Sequence, residues 1–549
     1  MSLGHVKSLL ASWTGYGANI VVMFFLSPFV VHELGHATFG LWSLLMSVTG
    51  YLGLVEIGVR ASTGRYVNYY LGQGRRDRVD AVVNTSLVFY CFAGLAVLAL
   101  SAALGAAFPV VFAKIPAELS AQAPGVLLLM AANVWLGLWS STFGQLLLAR
   151  NRFDLVNVSQ IAALLVRAGV TVAVLWAGGS LAAMSGAIVL ASVVQLLLNA
   201  TLARRYGVRV TFSRRLASWA CLREMFGFGV WSFLGNTSTR VIFYASATII
   251  GVMLGEREIA YYSVGLILID TGRELVAFVC RVLTPDLQKQ AGRSPGDMGG
   301  RMIAAANTTM LVAVGLLGGL VAIGPAFLRQ WMGPDFARSG DVLVIVSLSQ
   351  LGVMANFACN TTLNAMGHVR LVAGIFAVEA VLNVAVSVLL VSLGWGIVGV
   401  ACGTAGPAVM CSGLVTMVFA CRRTGMPIGR YAAATAARWL PAAILYVPLC
   451  CGVHYGLGFE WIDGARMPML GWGVLLMQIA LCGLLYVPIA ATFLISREQR
   501  AAVWKGLASL RCRVLCQAKR FLTPSILPRK EARRRETFFD PPHRGSRRA

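Results

Sequence analysis

The sequence predicts an all-α, polytopic membrane protein, and three observations lead to this fold class. Of the 549 residues, 58% are hydrophobic and only 12% are charged, whereas about 25% of the residues of a typical soluble domain are charged. The mean hydropathy is +0.74. The apolar residues also form long runs, of the ~20 residues that a helix needs to cross a bilayer. A chain of this composition cannot cover itself with polar surface in water.

Fourteen apolar segments are long enough to be transmembrane helices. The connections between them are short, so no loop has room for a soluble domain. The predicted spans are 10–31, 39–60, 82–108, 122–149, 154–177, 181–203, 226–251, 259–283, 302–328, 342–364, 370–393, 395–420, 433–455 and 469–495.

The distribution of Lys and Arg gives the predicted orientation, because basic residues are retained on the cytoplasmic side of a membrane. With a cytoplasmic N-terminus, the inner loops hold 23 of the 46 basic residues, the outer loops five and the C-terminal tail 15. A miscounted span would exchange the two sides for every later loop. The bias therefore supports fourteen spans with both termini in the cytoplasm.

A weak internal repeat groups the spans. LGHATFGLWS (Leu34–Ser43) aligns with LGEREIAYYS (Leu254–Ser263), and ARNRFDLV (Ala149–Val156) aligns with AMGHVRLV (Ala365–Val372), at offsets of 220 and 216 residues. These offsets pair spans 1–6 with spans 7–12. We therefore predict two pseudo-symmetric six-helix lobes, two further helices and a largely disordered basic cytoplasmic tail, with the boundaries 1–205, 206–425, 426–496 and 497–549.

Six charged residues are predicted near the middle of the membrane, where inserting a charge costs about 2.5–3.5 kcal/mol. Arginine presents a planar fork of donors that suits phosphate oxygens, and residues three or four apart share a helix face. The arginines can therefore line a cavity and bind an anionic cargo, or they can form internal pairs, Asp270–Arg273 and Arg240–Glu274. The sequence leaves both open for this set: Arg167, Arg240, Arg273, Asp270, Glu274 and Glu379.

Two carboxylates have alternative interpretations. Glu379, one turn before Asn383, either takes up a proton in a coupling step or is a neutral, hydrogen-bonded carboxyl group between helices. Glu56 and Arg60 lie four residues apart near the cytoplasmic end of span two, where an arginine can extend to water. We expect this second pair to be a cytoplasmic gate or an anchor rather than a substrate contact.

Three stretches resemble the polysaccharide transporter family, the Wzx-type oligosaccharide flippases of the MOP (MATE-like) superfamily. They are LGHATFGLWSLLMSVTGYLGLVEIGVRASTGRYV, LLLARNRFDLVNVSQ, and the run from FLRQWMGPDF through NAMGHVRLV and EAVLN to GIVGVACGTAGP, and the resemblance spans most of residues 5–420. It implies two lobes around a central cavity and alternating access. The implied cargo is a polyprenyl-diphosphate-linked oligosaccharide for capsule, exopolysaccharide or O-antigen synthesis. The implied location is a bacterial plasma (inner) membrane, across which this cargo is flipped. The stretch SATIIG lacks the aspartate that often precedes Ile249–Gly251 in this family, so no ion-coupling role is implied there.

Two other classes of protein compete with this expectation. A MATE-like exporter of cations or drugs would place acidic residues in its cavity, often in the first helix, but span one carries Asn19 and no carboxylate. A glycan-polymerising enzyme would need a catalytic loop outside the membrane. The short outer loop with Trp331, Asp335 and Arg338 offers no set of nucleophile and base. We therefore expect a transporter without a catalytic site, cofactor or metal.

The expected partners are lipid-linked oligosaccharide, anionic lipids and proteins of the same pathway. Basic segments beside a membrane are attracted to anionic headgroups, so the C-terminal tail is expected to lie on them. The polymerase and export machinery are further candidates. The run RKEARRRE has no aromatic platform or folded module around it, so no nucleic-acid partner is expected.

Overall fold

The computed structural model describes residues 3–293, 297–456 and 468–494, and these residues form helices and no strand. This confirms the predicted all-α membrane fold. The tail predicted over 497–549 lies outside the described residues. The helices are α1 (Leu3–Leu52), α2 (Leu54–Gly72), α3 (Arg76–Val111), α4 (Ala117–Ser120), α5 (Ala123–Leu148), α6 (Phe153–Trp176), α7 (Leu181–Tyr206), α8 (Trp219–Met253), α9 (Glu256–Arg293), α10 (Met298–Met332), α11 (Ala337–Ala355), α12 (Phe357–Ala365), α13 (Val369–Ser392), α14 (Gly396–Ala408), α15 (Thr416–Thr424), α16 (Ile428–Gly456) and α17 (Pro468–Ile489).

Eleven helical segments of the described residues are long and apolar enough to cross a membrane. One of them, Gly17–Leu52, contains two helices that meet at Gly35, where φ is 71° and ψ is 167°. This conformation is open to glycine and strained for other residues, and the predicted first outer turn falls there. α8 and α9 have 35 and 38 residues but are not among the eleven. The total of fourteen spans stays a prediction.

The helices α1, α2, α3, α5, α6 and α7 pack against one another and form the first group. Hydrogen bonds between the helices join them, because apolar packing alone does not determine which helices pair in a membrane. Asn199 on α7 donates to the Ser140 hydroxyl on α5 at 2.9 Å and accepts from the Ser159 hydroxyl on α6 at 2.6 Å. One buried amide therefore connects three helices of this group.

The helices α8 to α15 form the second group, in which α13 packs against α8 and α14, and α11 packs against α9, α10 and α14. α13 and α14 approach very closely at Gly403, where a Cβ atom would lie 2.6 Å from the backbone nitrogen and Cα of Ser387. Met1–Leu494 form one compact unit. The predicted lobe boundaries stay a prediction.

The last two helices attach to the second group mainly through α10. The ring of Tyr446 on α16 lies against Gly318, and the ring of Tyr486 on α17 lies against Gly315. The Tyr486 hydroxyl also donates a hydrogen bond to the Leu311 carbonyl. Two tyrosines thus pack against a glycine-lined face of α10, where small residues permit close contact between helices.

The two groups meet along a seam, which we define as the contact of residues 36–72 with residues 219–260. The chains run antiparallel there: Gly40 lies against the backbone of Glu256, and Gly50 lies against the ring of Tyr244. A Cβ atom on Gly40 would be 1.8 Å from the Glu256 carbonyl oxygen. The seam therefore requires glycine where α1 crosses the start of α9.

The other end of the seam, predicted to be cytoplasmic, is held by polar contacts. The Ser62 hydroxyl donates to the Met225 carbonyl at 2.8 Å, and the Tyr70 hydroxyl donates to Glu224 Oε1 at 2.9 Å. Burial and the hydrogen bond to the Glu224 carboxylate raise the pKa of Tyr70 above its usual value, so its hydroxyl remains a donor.

Contacts also join the groups at the end that is predicted to be extracytoplasmic. The Trp331 indole donates from Nε1 to the Phe24 carbonyl at 2.8 Å, and the two rings stack at 5.5 Å. Within the second group, Arg338 Nη1 on α11 lies 3.2 Å from Glu258 Oε1 on α9. The Trp331–Phe24 contact thus joins the two groups at the outer end.

We expect Gly40→Ala to destabilise the protein by about 1–3 kcal/mol, because the added methyl group has no space and overpacking costs this much. The matched control is Gly17→Ala in the same helix, where a Cβ atom would meet nothing within 4 Å. Thermal unfolding of both purified variants in detergent measures the difference. Equal midpoints for the two variants would contradict the close approach.

Candidate functional site: a polar cavity in the second group of helices

A cavity of about 510 Å³ lies among α8, α9, α11, α12, α13 and α14. It brings together four of the charged residues predicted from the sequence, and it adds three amide side chains. A polar cavity inside an otherwise apolar bundle is where a transporter is expected to bind a polar ligand. The charged residues are Asp270, Arg273, Glu274 and Glu379, and the amides are Asn236, Gln350 and Asn360.

Arg273 is held in place by two contacts. Its Nη2 lies 3.2 Å from Asp270 Oδ1, one turn back on α9, and its Cζ lies 3.9 Å from the centroid of the Phe243 ring on α8. An aromatic face attracts a guanidinium group by its quadrupole. The Asp270 side chain is 48% exposed and that of Arg273 is 21% exposed. The pair considered from the sequence is therefore formed, and it remains open to a ligand in the cavity.

Glu379 reaches the cavity from α13, although only 4% of it is exposed. Its Oε2 accepts a hydrogen bond from the Ser412 hydroxyl. Ser412 belongs to a π-helical turn, Val409–Val415, which follows Pro407 near the end of α14; such turns are frequent at functional sites. This is the hydrogen-bonded arrangement considered for Glu379, and its role as a proton carrier stays a hypothesis.

The sequence prediction placed Asn383 one turn from Glu379 but missed that polar residues continue along α13 to Ser387. Asn383 and Ser387 follow at intervals of four residues, both fully buried. Among the described residues, neither the Asn383 amide nor the Ser387 hydroxyl has a hydrogen-bond partner. Unpartnered buried polar groups are costly. The i, i+4, i+8 spacing on one helix face was the signal that could have identified this polar stripe.

Arg167 and Arg240 lie outside the residues that line the cavity. Arg240, on α8, crosses the seam and donates from Nη1 to the Gly50 carbonyl at 3.1 Å. Arg167, on α6, has its Nη2 3.9 Å from the sulfur of Met23 on α1. Within the described residues neither guanidinium group has a carboxylate partner, so the Arg240–Glu274 pair considered from the sequence is not formed.

Arg60 has an exposed side chain on α2, near the predicted cytoplasmic end of its span. The side chain of Glu56 lies outside the described residues. The interpretation of these two residues as a gate or an anchor therefore stays a prediction.

We expect Arg273→Gln to lower the free energy of unfolding by about 1–3 kcal/mol, because it leaves the Asp270 carboxylate without its charged partner inside the bundle. The double variant Asp270→Asn/Arg273→Gln should recover at least half of that loss. Arg301→Gln is the control, because its ion pair with Asp297 is exposed and such pairs contribute little. Denaturant unfolding in detergent measures all three, and equal losses in single and double variants would show that the pair is not coupled.

Comparison with known proteins identifies the family. The model of the family described as "Polysaccharide biosynthesis protein" matches residues 6–289. The uncharacterised membrane protein EpsK of Bacillus subtilis strain 168 is 24% identical over 348 residues, which are 61% of this chain and 66% of that protein. A Shigella flexneri protein named, provisionally, as an O-antigen transporter is 22% identical over 262 residues, which are 47% of this chain and 60% of that protein. The chain thus spans less than two thirds of the length of each relative.

Solved structures show the same fold at low sequence identity. The lipid II flippase MurJ in an inward closed conformation superposes with a TM-score of 0.65 and 12% identity, over 89% of this chain and 98% of that one. Multidrug resistance MATE transporters of the MOP superfamily also share the fold. The family model covers more than half of the residues, and this confirms the resemblance found in the sequence: the chain belongs to the polysaccharide biosynthesis protein family and has the fold of the MOP superfamily.

Proposed function

We propose that the protein is a flippase that moves polyprenyl-diphosphate-linked oligosaccharides across the bacterial inner membrane by alternating access, with both of its termini in the cytoplasm. Membership of the family and eleven helical segments of membrane-spanning length support a multi-pass membrane transporter of polysaccharide biosynthesis. The lipid-linked cargo is the part of this proposal that goes beyond family membership. The product would serve a surface polysaccharide such as a capsule, an exopolysaccharide or an O-antigen.

The observation that carries this proposal is the state of Arg167 and Arg240. Both are predicted at mid-membrane depth, and their contacts are a sulfur atom and a backbone carbonyl oxygen, neither of which neutralises a positive charge. An uncompensated charge in the hydrocarbon region is expensive to maintain. A diphosphate group supplies the missing negative charge and accepts several hydrogen bonds from the planar fork of an arginine.

The rest of the described structure supports such a route. Only the headgroup of a lipid-linked glycan needs a polar path, because its hydrocarbon tail can stay in the bilayer. The amides of Asn236, Gln350 and Asn360 in the cavity suit the hydroxyl groups of a sugar. The polar contacts that join the two groups at their inner and outer ends are hydrogen bonds, which can break in turn as access alternates.

One observation favours a second candidate, an exporter of organic cations. The cavity contains three carboxylates, Asp270, Glu274 and Glu379, and one arginine, Arg273. Counted at full ionisation, these four residues attract a cation more than an anion. The shared fold of the MATE transporters does not distinguish the two functions, because one fold can serve several substrates.

A deletion strain of the native host tests the function directly. We expect the deletion to abolish the surface polysaccharide and to accumulate lipid-linked repeat units in the membrane. Unchanged polysaccharide, together with raised sensitivity to cationic dyes, would contradict the flippase and favour the exporter. A reconstituted protein that moved no lipid-linked glycan of its host would also contradict the proposal.

When the variants are expressed in the deletion strain, we expect Arg167→Gln and Arg240→Gln each to reduce the flux of glycan about 10- to 100-fold at an unchanged protein level. A charge-assisted hydrogen bond contributes about 1.5–3 kcal/mol, which corresponds to this range. Arg301→Gln should retain normal flux. Quantitative analysis of labelled surface glycan measures the effect, and full activity of both variants would remove these arginines from the cargo path.

A further inference from the structure

The connection between α7 and α8, residues 207–218, follows a fixed path along α3. We call it the linker. The amide of Asn84 donates to the Thr211 carbonyl at 2.7 Å and accepts from the Ser213 backbone N–H at 2.9 Å. The Thr211 N–H also donates to Asp80 Oδ1 at 3.3 Å. Hydrogen bonds from α3 therefore position a segment that is mostly non-helical.

The linker and its flanks expose both apolar and basic side chains. This combination is typical of segments that lie at the surface of a membrane, where the apolar groups enter the bilayer and the basic groups meet the headgroups. The exposed large apolar residues are Tyr206, Phe212, Leu216, Trp219 and Phe226. The exposed arginines are Arg204, Arg205, Arg209, Arg214, Arg215 and Arg223.

Two pockets flank the linker and share Phe212, whose side chain is 47% exposed. The first, of about 320 Å³, lies between the ends of α5 and α7 and contains Arg204 and Arg209. The second, of about 450 Å³, lies against α3 and contains Arg214. Each pocket therefore joins an apolar wall to at least one guanidinium group.

The arginines of these pockets are available to an external anion. Within the described residues, Arg204, Arg209 and Arg214 have no carboxylate partner. Arg152, at the same end of the helices, differs because it donates to both oxygens of Asp154 at 3.0 and 2.9 Å. The charges of these three guanidinium groups are thus not paired with a carboxylate of the described residues.

The depth of the second pocket shows which kind of anion fits. Its wall on α3 extends from Asn84 to Phe92. At ~1.5 Å per residue, these two residues lie about 12 Å and about 24 Å along the helix from its first residue. The predicted third span begins at residue 82, so this wall reaches into the hydrocarbon region, where Phe92 is 68% exposed. A ligand that fills the pocket has a hydrocarbon chain as well as an anionic group.

We propose that an anionic phospholipid of the inner leaflet binds at the linker, with its phosphodiester between Arg209 and Arg214 and an acyl chain against Phe212 and Phe92. Basic pockets at the cytoplasmic ends of membrane helices bind anionic headgroups in this manner. The bound lipid adds a contact between the linker and α3. This inference does not depend on the proposed transport activity.

The first experiment uses the purified full-length chain after delipidation. It is exposed to mixed micelles that contain equal amounts of phosphatidylglycerol and phosphatidylcholine, and the retained lipid is measured by mass spectrometry. We expect phosphatidylglycerol to be retained preferentially and to raise the thermal unfolding midpoint. Inorganic phosphate should have no such effect. Equal retention of the two lipids, or the same stabilisation by phosphate alone, would overturn the proposal.

Variants locate the site. Arg209→Gln/Arg214→Gln should weaken phosphatidylglycerol binding about fivefold for each arginine removed, the approximate contribution of one basic residue near an anionic surface. Arg209→Lys/Arg214→Lys should retain most of the binding, because the charges remain. The matched control Arg75→Gln/Arg76→Gln removes two basic residues from the α2–α3 turn, outside both pockets. An equal loss in this control would show a diffuse surface effect and overturn the site.

If the glutamine variant does not fold, the lipid selectivity of the wild-type chain and a comparison of the lysine variant with Phe212→Ala decide the question. The lysine variant should bind phosphatidylglycerol more tightly than Phe212→Ala, which loses the apolar contact shared by both pockets. Equal, undiminished binding in both would overturn the assignment to the linker.

Discussion

Polar groups that the chain carries into the hydrocarbon region must find their partners inside the protein, because the bilayer supplies none. The arrangement of the second group of helices follows from this constraint. Asp270 pairs with Arg273, Phe243 covers the guanidinium group, and Ser412 donates to Glu379. The cavity is the space into which these satisfied but still accessible groups point. Its position is therefore set by the pairing of polar groups as much as by apolar packing.

The same constraint applies to the polar groups that have only a weak partner or none. Arg240 has a backbone carbonyl oxygen as its partner, and Arg167 has a sulfur atom. Both contacts are weaker than a carboxylate pair and leave the charge unbalanced. Under the proposed flippase function, such residues need not be stabilised fully in the absence of cargo. Asn383, without a hydrogen-bond partner in the described structure, shows that incomplete satisfaction is not confined to arginines.

The seam between the two groups combines close packing with contacts that can be reversed. Gly40 and Gly50 bring the backbones together where a larger residue has no space. Near one end of the seam, Ser62 and Tyr70 add hydrogen bonds from side chains. Each such bond contributes only about 0.5–1.5 kcal/mol in net terms. A seam of this kind can hold the two groups in one arrangement and still permit a change to another.

The sequence by itself determined the fold class, because composition and the length of apolar runs decide whether a chain can exist in water or in a bilayer. It also indicated the family, and it offered the Asp270–Arg273 pair as one of two alternatives, since residues three apart on a helix are neighbours whatever surrounds them. Only the tertiary structure decided that Arg240 reaches Gly50, 190 residues away, and that Glu379 meets Ser412, 33 residues away. It also separated Arg167 and Arg240 from the cavity that holds Arg273. These outcomes depend on how helices rotate and approach one another, which hydropathy does not encode, because every helix of a membrane bundle is apolar over most of its surface.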